Sequence, residues 1–185
     1  MRRARRLEQP GPARFGQPVA REATIWREAV ALGSKVLVIV IGFILVFTLV
    51  YGVSRAADSD MYPMVKDGDV ALFFRLGKSY AAGDLVVLDF QGTRQVRRVA
   101  AIAGDSVDFG PAGLIINGSV QQEPDNTLVT RRYDSGVEFP LVVGPGQVFV
   151  LGDARENSTD SRVYGLVDEK DTLGSVITII RRRNF

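Results

Sequence analysis

"VLVIVIGFILVFTLVYGV", Val36 to Val53, divides the chain into two unlike parts. The stretch carries no charge and lies between Lys35 and Arg55. As a helix it would be about 27 Å long, close to the hydrocarbon thickness of a bilayer. A helix in a soluble core rarely stays apolar on every side for that length. A cleaved signal peptide fits poorly, because the basic region before the run is too long and the run exceeds the usual apolar core. The sequence therefore predicts a tail at residues 1–33, one membrane helix at 34–54, and a second region at 55–185. Arg2, Arg3, Arg5, Arg6, Arg14, Arg21 and Arg27 outnumber Glu8, Glu22 and Glu28 before the helix. That bias predicts a cytoplasmic tail and places everything from Arg55 onward outside. Pro10, Pro12 and Pro18 predict disorder in the first half of the tail, while "REATIWREAV", Arg21 to Val30, can form a short helix.

Composition narrows the chemistry. The 185 residues include no cysteine and no histidine, and the net charge is +2. Disulfides, cysteine-type zinc sites and haem attachment are excluded, as is any Ser-His-Asp or Cys-His arrangement. Proton transfer near neutral pH would need a perturbed Lys, Asp, Glu or Tyr. No metal or nucleotide signature is present, no nucleic-acid partner is indicated, and no cofactor is expected.

Beyond the apolar run the pattern changes to short β-rich segments. "VALFF" (70–74), "LVVLDF" (85–90), "QVRRVAAI" (95–102), "SVDF" (106–109), "LIING" (114–118), "QVFVLG" (147–152) and "SVITII" (175–180) read as strands. Between them recur Gly68-Asp69, Gly83-Asp84, Gly104-Asp105, Asn117-Gly118 and Gly144-Pro145, all turn signals. Strands at this spacing without long helical patterns predict an all-β domain, and Asn117-Gly118 suits a type I′ hairpin turn.

Three polar segments are too patterned for ordinary turns: "DMYPMVKDGD" (60–69), "VRRVAAIAGD" (96–105) and "GDARENSTDSR" (152–162). By composition alone the third also reads as a solvated loop. Together, in order and after a single anchor, they resemble the bacterial type I signal peptidases, membrane-anchored serine proteases that remove signal peptides from exported proteins. The first family motif, Ser-Met-x-Pro with Gly-Asp further on, is matched by Asp60-Met61-Tyr62-Pro63 and Gly68-Asp69. The second, Lys-Arg followed by Gly-Asp, is matched by Arg97-Arg98 and Gly104-Asp105. Gly152, Asp153, Ser158, Asp160, Ser161 and Arg162 match the third, with Ala154 in place of an asparagine. "VYGLVDEKDTLGSV" (163–176) resembles the family's closing segment.

The resemblance implies a signal-peptidase-like β domain outside the membrane. It assigns Asp60 and Arg97 to the positions of the family's nucleophilic serine and its lysine base. Such a lysine works because burial lowers its pKa. An ionised aspartate has no proton to give, and arginine stays protonated in proteins. Arg97 is therefore no base, and since the resemblance sets the two positions side by side, the carboxylate and guanidinium can form a bidentate ion pair. The resemblance further implies that Asp160 pairs with Arg162, that Ser158 lies beside Arg97, and that Met61, Tyr62 and Pro63 border a substrate groove. An aspartic dyad of Asp58 and Asp60 has no other support in the sequence.

Two functional classes follow. One is a non-catalytic membrane-anchored family member that holds secreted or pilin-like polypeptides, similar to the signal-peptidase-like assembly factors of sortase-built pili. The other is an active signal peptidase with atypical catalytic residues. A third class, lipid binding, rests only on Arg181-Arg182-Arg183 and the N-terminal arginines. The sequence does not specify an oligomeric state.

Overall fold

In the computed structural model, residues 19–122 and 129–181 are described, together with Gly11. The disorder expected before residue 19 falls outside the described residues. The chain divides into two units, Met1–Ile44 and Leu45–Phe185.

Helix α1 spans Val19–Val50 and takes in both the "REATIWREAV" segment and most of the apolar run. Its portion Thr24–Val50 is long and apolar enough to cross a membrane, and its large apolar side chains are exposed, Ile39 at 70% and Phe43 at 62%. An all-round apolar surface of that kind needs lipid or another apolar partner. The helix ends earlier than the apolar run suggests. Tyr51–Arg55, read from sequence as the last helical turn and the start of the next region, is strand β1. It pairs with β2 (Val70–Phe74) in antiparallel register, Gly52 opposite Phe73 and Ser54 opposite Ala71. The alternating burial of β1 explains the switch. Gly52 and Ser54 face inward, while Val53 and Arg55 face out.

The other strands follow in order: β3 (Leu85–Phe90), β4 (Thr93–Ile102), β5 (Ser106–Gly110), β6 (Gly113–Ile116), β7 (Ser119–Val120), β8 (Leu141–Val142) and β9 (Gln147–Leu151). Short helix α2 (Ser161–Tyr164), β10 (Val167–Asp168) and β11 (Thr172–Ile180) complete the chain. They form a seven-stranded sheet, β1-β2-β11-β3-β4-β9-β10, and a four-stranded sheet, β7-β6-β5-β8, with antiparallel pairing throughout. The fold is all-β behind one apolar helix, as the sequence predicts.

Turn chemistry sets the strand starts. Asp69, Asp84 and Asp105 each accept the backbone N–H three residues earlier, from Lys66, Ala81 and Ile102. The glycine before each aspartate has positive φ, +87° at Gly68, +98° at Gly83 and +95° at Gly104. One repeated turn thus launches β2, β3 and β5. Asn117 and Gly118 both have positive φ, as a type I′ turn requires, and join β6 to β7.

The middle of the large sheet is buried on both faces. Val87 and Val96 pack with Met61, Val65 and Phe73 on one side. Val86, Leu88 and Val99 pack with Tyr80, Val148 and Val150 on the other. Within β4, Arg97 lies opposite Val86 and Arg98 opposite Leu85. Successive side chains leave a strand on opposite faces, so the two guanidiniums meet different partners.

Gly52 distinguishes a strand from a helix at the end of the apolar run. A Cβ there would lie 2.2 Å from the buried Phe73 ring. Gly52→Ala is expected to destabilise the β domain by about 1–3 kcal/mol through overpacking, measured by urea denaturation in detergent. Were Gly52 in an exposed helix, the same change would stabilise by about 0.5–1 kcal/mol.

Candidate functional site

The site forms where three segments meet. The first is the stretch after β1, held as a closed loop by Ala56 N–H to the Asp69 carbonyl (2.8 Å) and Gly68 N–H to the Ala56 carbonyl (3.0 Å). Within it, Tyr62 N–H bonds Ser59 and Val65 N–H bonds Met61, which winds the chain into a turn. That winding points Met61 and Val65 inward, each 1% exposed, and leaves Tyr62 and Met64 outside. Met61 is a buried residue packed with Phe73 and Val96, while Tyr62 and Pro63 are exposed.

The second segment is the loop after β9. A Cβ on Gly152 would lie 2.4 Å from the Ser158 Cβ and 2.6 Å from the Asp60 carbonyl oxygen, so only glycine lets this loop descend onto Asp60. Ala154 N–H donates to the same Asp60 carbonyl at 2.8 Å. The third segment is β4, which carries the buried Arg97 between the buried Val96 and the half-buried Arg98.

Arg97 is fully buried, and its guanidinium is fully engaged. Nε donates to the Thr159 carbonyl at 2.9 Å. Nη1 donates to the Val96 carbonyl (2.6 Å) and to Asp58 (3.3 Å). Nη2 donates to Asp60 (2.5 Å) and to the same Asp58 oxygen (3.3 Å). A guanidinium has five N–H donors, and five contacts are present. The expected Asp60–Arg97 pair thus exists, but it is not bidentate. The remaining donors go to Asp58 and two backbone carbonyls, and the Asp60 oxygen also accepts Thr159 N–H at 3.0 Å.

Asp58 was the residue least visible in the sequence. Its spacing from Asp60, two residues along the chain, is the one signal for it. One of its oxygens accepts the Asp60 N–H at 3.2 Å and the other reaches Arg97. The Arg97 side chain is 0% exposed, Asp60 14% and Asp58 27%, so the charge cluster opens towards solvent on the carboxylate side. Burial raises the Asp60 carboxyl above its ordinary range. The Thr159 N–H and the Arg97 charge oppose that shift, and the charges of Asp58 and Asp160 add to it. Burial likewise pushes the Tyr164 hydroxyl upward, with the Arg97 charge opposing.

Next to this cluster lies a second one. Asp160 caps α2 and is fully buried. It accepts from Arg162 Nε at 2.9 Å and Nη2 at 2.8 Å, from Ser158 Oγ at 2.5 Å, and from Gly152 N–H at 3.0 Å. Arg162 is bidentate here, reaches the Arg131 carbonyl at 3.0 Å, and lies 4.4 Å from the Tyr133 ring centre. The Ser158 hydroxyl bonds Asp160 and Arg162, and the neighbouring Thr159 carbonyl accepts from Arg97 Nε, which holds this loop against Arg97. On the opposite face of β4, Arg98 holds Asp153 through two 2.7 Å contacts and binds the Gly83 carbonyl.

The four lysines stand apart from this arrangement. Lys35 and Lys66 are exposed, Lys78 donates to the Lys170 carbonyl, and Lys170 pairs with Asp168 at the surface. No group of His, Cys, Asp or Glu suited to a metal ion occurs among the described residues.

The sequence model described as Signal peptidase, peptidase S26, matches residues 27–180, and the chain belongs to that family. Signal peptidase IB of Staphylococcus aureus is 30% identical over 176 residues, covering 84% of this chain and 88% of its own length. Signal peptidase I of Bacillus licheniformis is 28% identical over 162 residues, covering 81% and 84%. A solved structure, a signal peptidase I from Enterococcus faecalis, aligns at 27% identity with a TM-score of 0.44, covering 54% of this chain and 97% of that one.

The Asp160–Arg162 pair has side chains 0% and 1% exposed. Arg162→Ala would leave the Asp160 carboxylate buried without its partner, and is expected to cost about 3–5 kcal/mol in chemical denaturation. A loss below about 1 kcal/mol, typical of an exposed loop, would mean that the pair does not hold this loop.

Proposed function

We propose that this chain is a membrane-anchored, non-catalytic member of the signal peptidase family that binds or positions secreted polypeptides. The observation that carries the reading is Arg97 at the position of the family's lysine base. Its guanidinium is buried, fully hydrogen-bonded and paired with Asp60 and Asp58. A lysine base must lose its proton to work, whereas a guanidinium so placed keeps it. Asp60 stands at the nucleophile position as an acceptor already shared between Arg97 and Thr159. The buried Ser158 hydroxyl faces a carboxylate and a guanidinium rather than an amine. Retention of the antiparallel sheets supports a kept binding surface, with Tyr62 and Pro63 exposed beside the site. Peptide recognition there would use strand addition at a sheet edge.

Family membership is the ground for a secreted polypeptide as partner, and α1 fits a single-pass anchor in the cytoplasmic membrane. The arginine-rich tail supports an inside N-terminus and an outside β domain. Within this reading the client is a pilin-like or other exported polypeptide held during surface assembly. The same family match also favours the other reading, a working peptidase with atypical residues.

One preparation tests both points. Purified full-length protein in detergent, incubated with a reporter preprotein, is expected to leave it uncut while retaining it in pull-down. Cleavage at the signal-peptide junction would establish the peptidase reading instead. Protease added to intact spheroplasts is expected to remove the β domain and spare the tail, and digestion of the tail would reverse the orientation.

A further inference from the structure

A cleft of about 490 Å³ lies on the side of the Gly152–Arg162 loop formed by residues 129–133. Among the described residues, four arginines line it, Arg131, Arg132, Arg155 and Arg162, against a single carboxylate, Glu156. The arginines are not equivalent. Arg162 is neutralised by the buried Asp160. Arg155 donates to the Gly152 carbonyl (3.0 Å) and the Thr130 hydroxyl (2.8 Å). Arg131 and Arg132 are exposed, and neither guanidinium has an ion-pair partner among the described residues. Only the Arg131 backbone is used, as the acceptor for Arg162.

Adjacent guanidiniums at the mouth of a cleft suit a planar anion, because each presents a fork of N–H donors matched to carboxylate oxygens. Beside them, the Tyr133 side chain and the exposed Val129 offer surface to the body of a bound chain. The cleft is also joined to the Asp60–Arg97 site. Tyr133 donates its hydroxyl to the Ser158 carbonyl at 2.9 Å, and the next residue, Thr159, bonds both Arg97 and Asp60. A polypeptide lying at that site needs to cross only one loop to reach Arg131 and Arg132.

We infer that this cleft binds an acidic segment of the client polypeptide, with Arg131 and Arg132 as its carboxylate-recognising residues. The inference rests on the client-holding role proposed above and names the chemistry of a second contact. It separates two steps, seating an extended segment by the β domain and selecting clients by acidic side chains outside that segment.

The test uses full-length protein in detergent micelles and fluorescence anisotropy with two labelled peptides. Both carry the same signal-peptide-like segment, followed by four glutamates in one and four glutamines in the other. The glutamate peptide is expected to bind about tenfold more tightly at low salt, equivalent to about 1.4 kcal/mol. That advantage should shrink in about 0.5 M salt, where charges are screened over a few ångströms. It should vanish in the Arg131→Gln/Arg132→Gln variant, whose melting temperature should match the parent because both side chains are exposed. Equal binding of the two peptides, or an advantage that survives in the variant, overturns the inference. Displacement of the glutamate peptide by inorganic phosphate at equal concentration also overturns it, marking a free-anion site. If the glutamine peptide binds and glutamates add nothing, the cleft assignment fails and the client-holding role stands. If only the glutamate peptide binds, and does so through Arg131 and Arg132, the cleft stands and the client-holding role of the Asp60–Arg97 site fails.

Discussion

A guanidinium placed inside a β-sheet core must find an acceptor for every N–H, because an unpaired buried donor costs free energy and an unpaired charge costs more. Arg97 sits in β4, near the centre of the seven-stranded sheet, and has no exposed surface. Its demand draws together parts of the chain far apart in sequence: Asp58 and Asp60 before β2, and Thr159 after β9. Glycine at position 152 then becomes necessary, since the loop must pass within contact of the Asp60 backbone. Asp160 and Arg162 lock the far side of that loop. The net energy of the Arg97 cluster need not be large. Desolvation offsets much of the attraction between buried charges, consistent with the upward shift of the Asp60 carboxyl. What the cluster enforces is composition: once arginine is present, carboxylates must face it.

Much of this was legible in the sequence where short-range chemistry decides. The Gly-Asp turns and Asn117-Gly118 mark strand boundaries because positive φ and the aspartate back-bond are local properties. Strands β2, β3, β4, β5, β6, β9 and β11 carry enough β-branched, aromatic or other apolar residues to stand out. The two-residue strands β8 and β10 do not, since their pairing comes from neighbours in the sheet rather than from their own composition. Strand β1 was hidden for another reason. Its Tyr-Gly-Val continues an apolar run, and only the alternating burial against β2 reveals where the helix ends.

The site was partly legible. Asp60 and Arg97 are marked by their positions in ordered motifs, and the family resemblance, which sets those positions side by side, implies their contact. Asp58 was harder to see because a second carboxylate on one guanidinium depends on how the turn at 58–60 is closed. The burial of Met61 follows from the turn that pairs it with Val65, a tertiary fact that the motif does not carry. Thr159 carried no signal of its own, because its backbone carbonyl rather than its side chain meets Arg97. Family membership describes the scaffold, while the proposed loss of catalysis rests on the charges at Asp60 and Arg97.

The central claim is that Arg97 and Asp60 constrain each other. A double-mutant cycle with Asp60→Asn and Arg97→Met, read by chemical denaturation of the detergent-solubilised protein, tests it most directly. Arg97→Met alone should cost more than Asp60→Asn alone, because it strands two carboxylates, whereas Asp58 still serves Arg97 when Asp60 is neutralised. The pair should show a coupling of at least about 1 kcal/mol, with the double variant recovering part of the loss. A coupling below about 0.5 kcal/mol, with the two losses simply adding, would contradict the account.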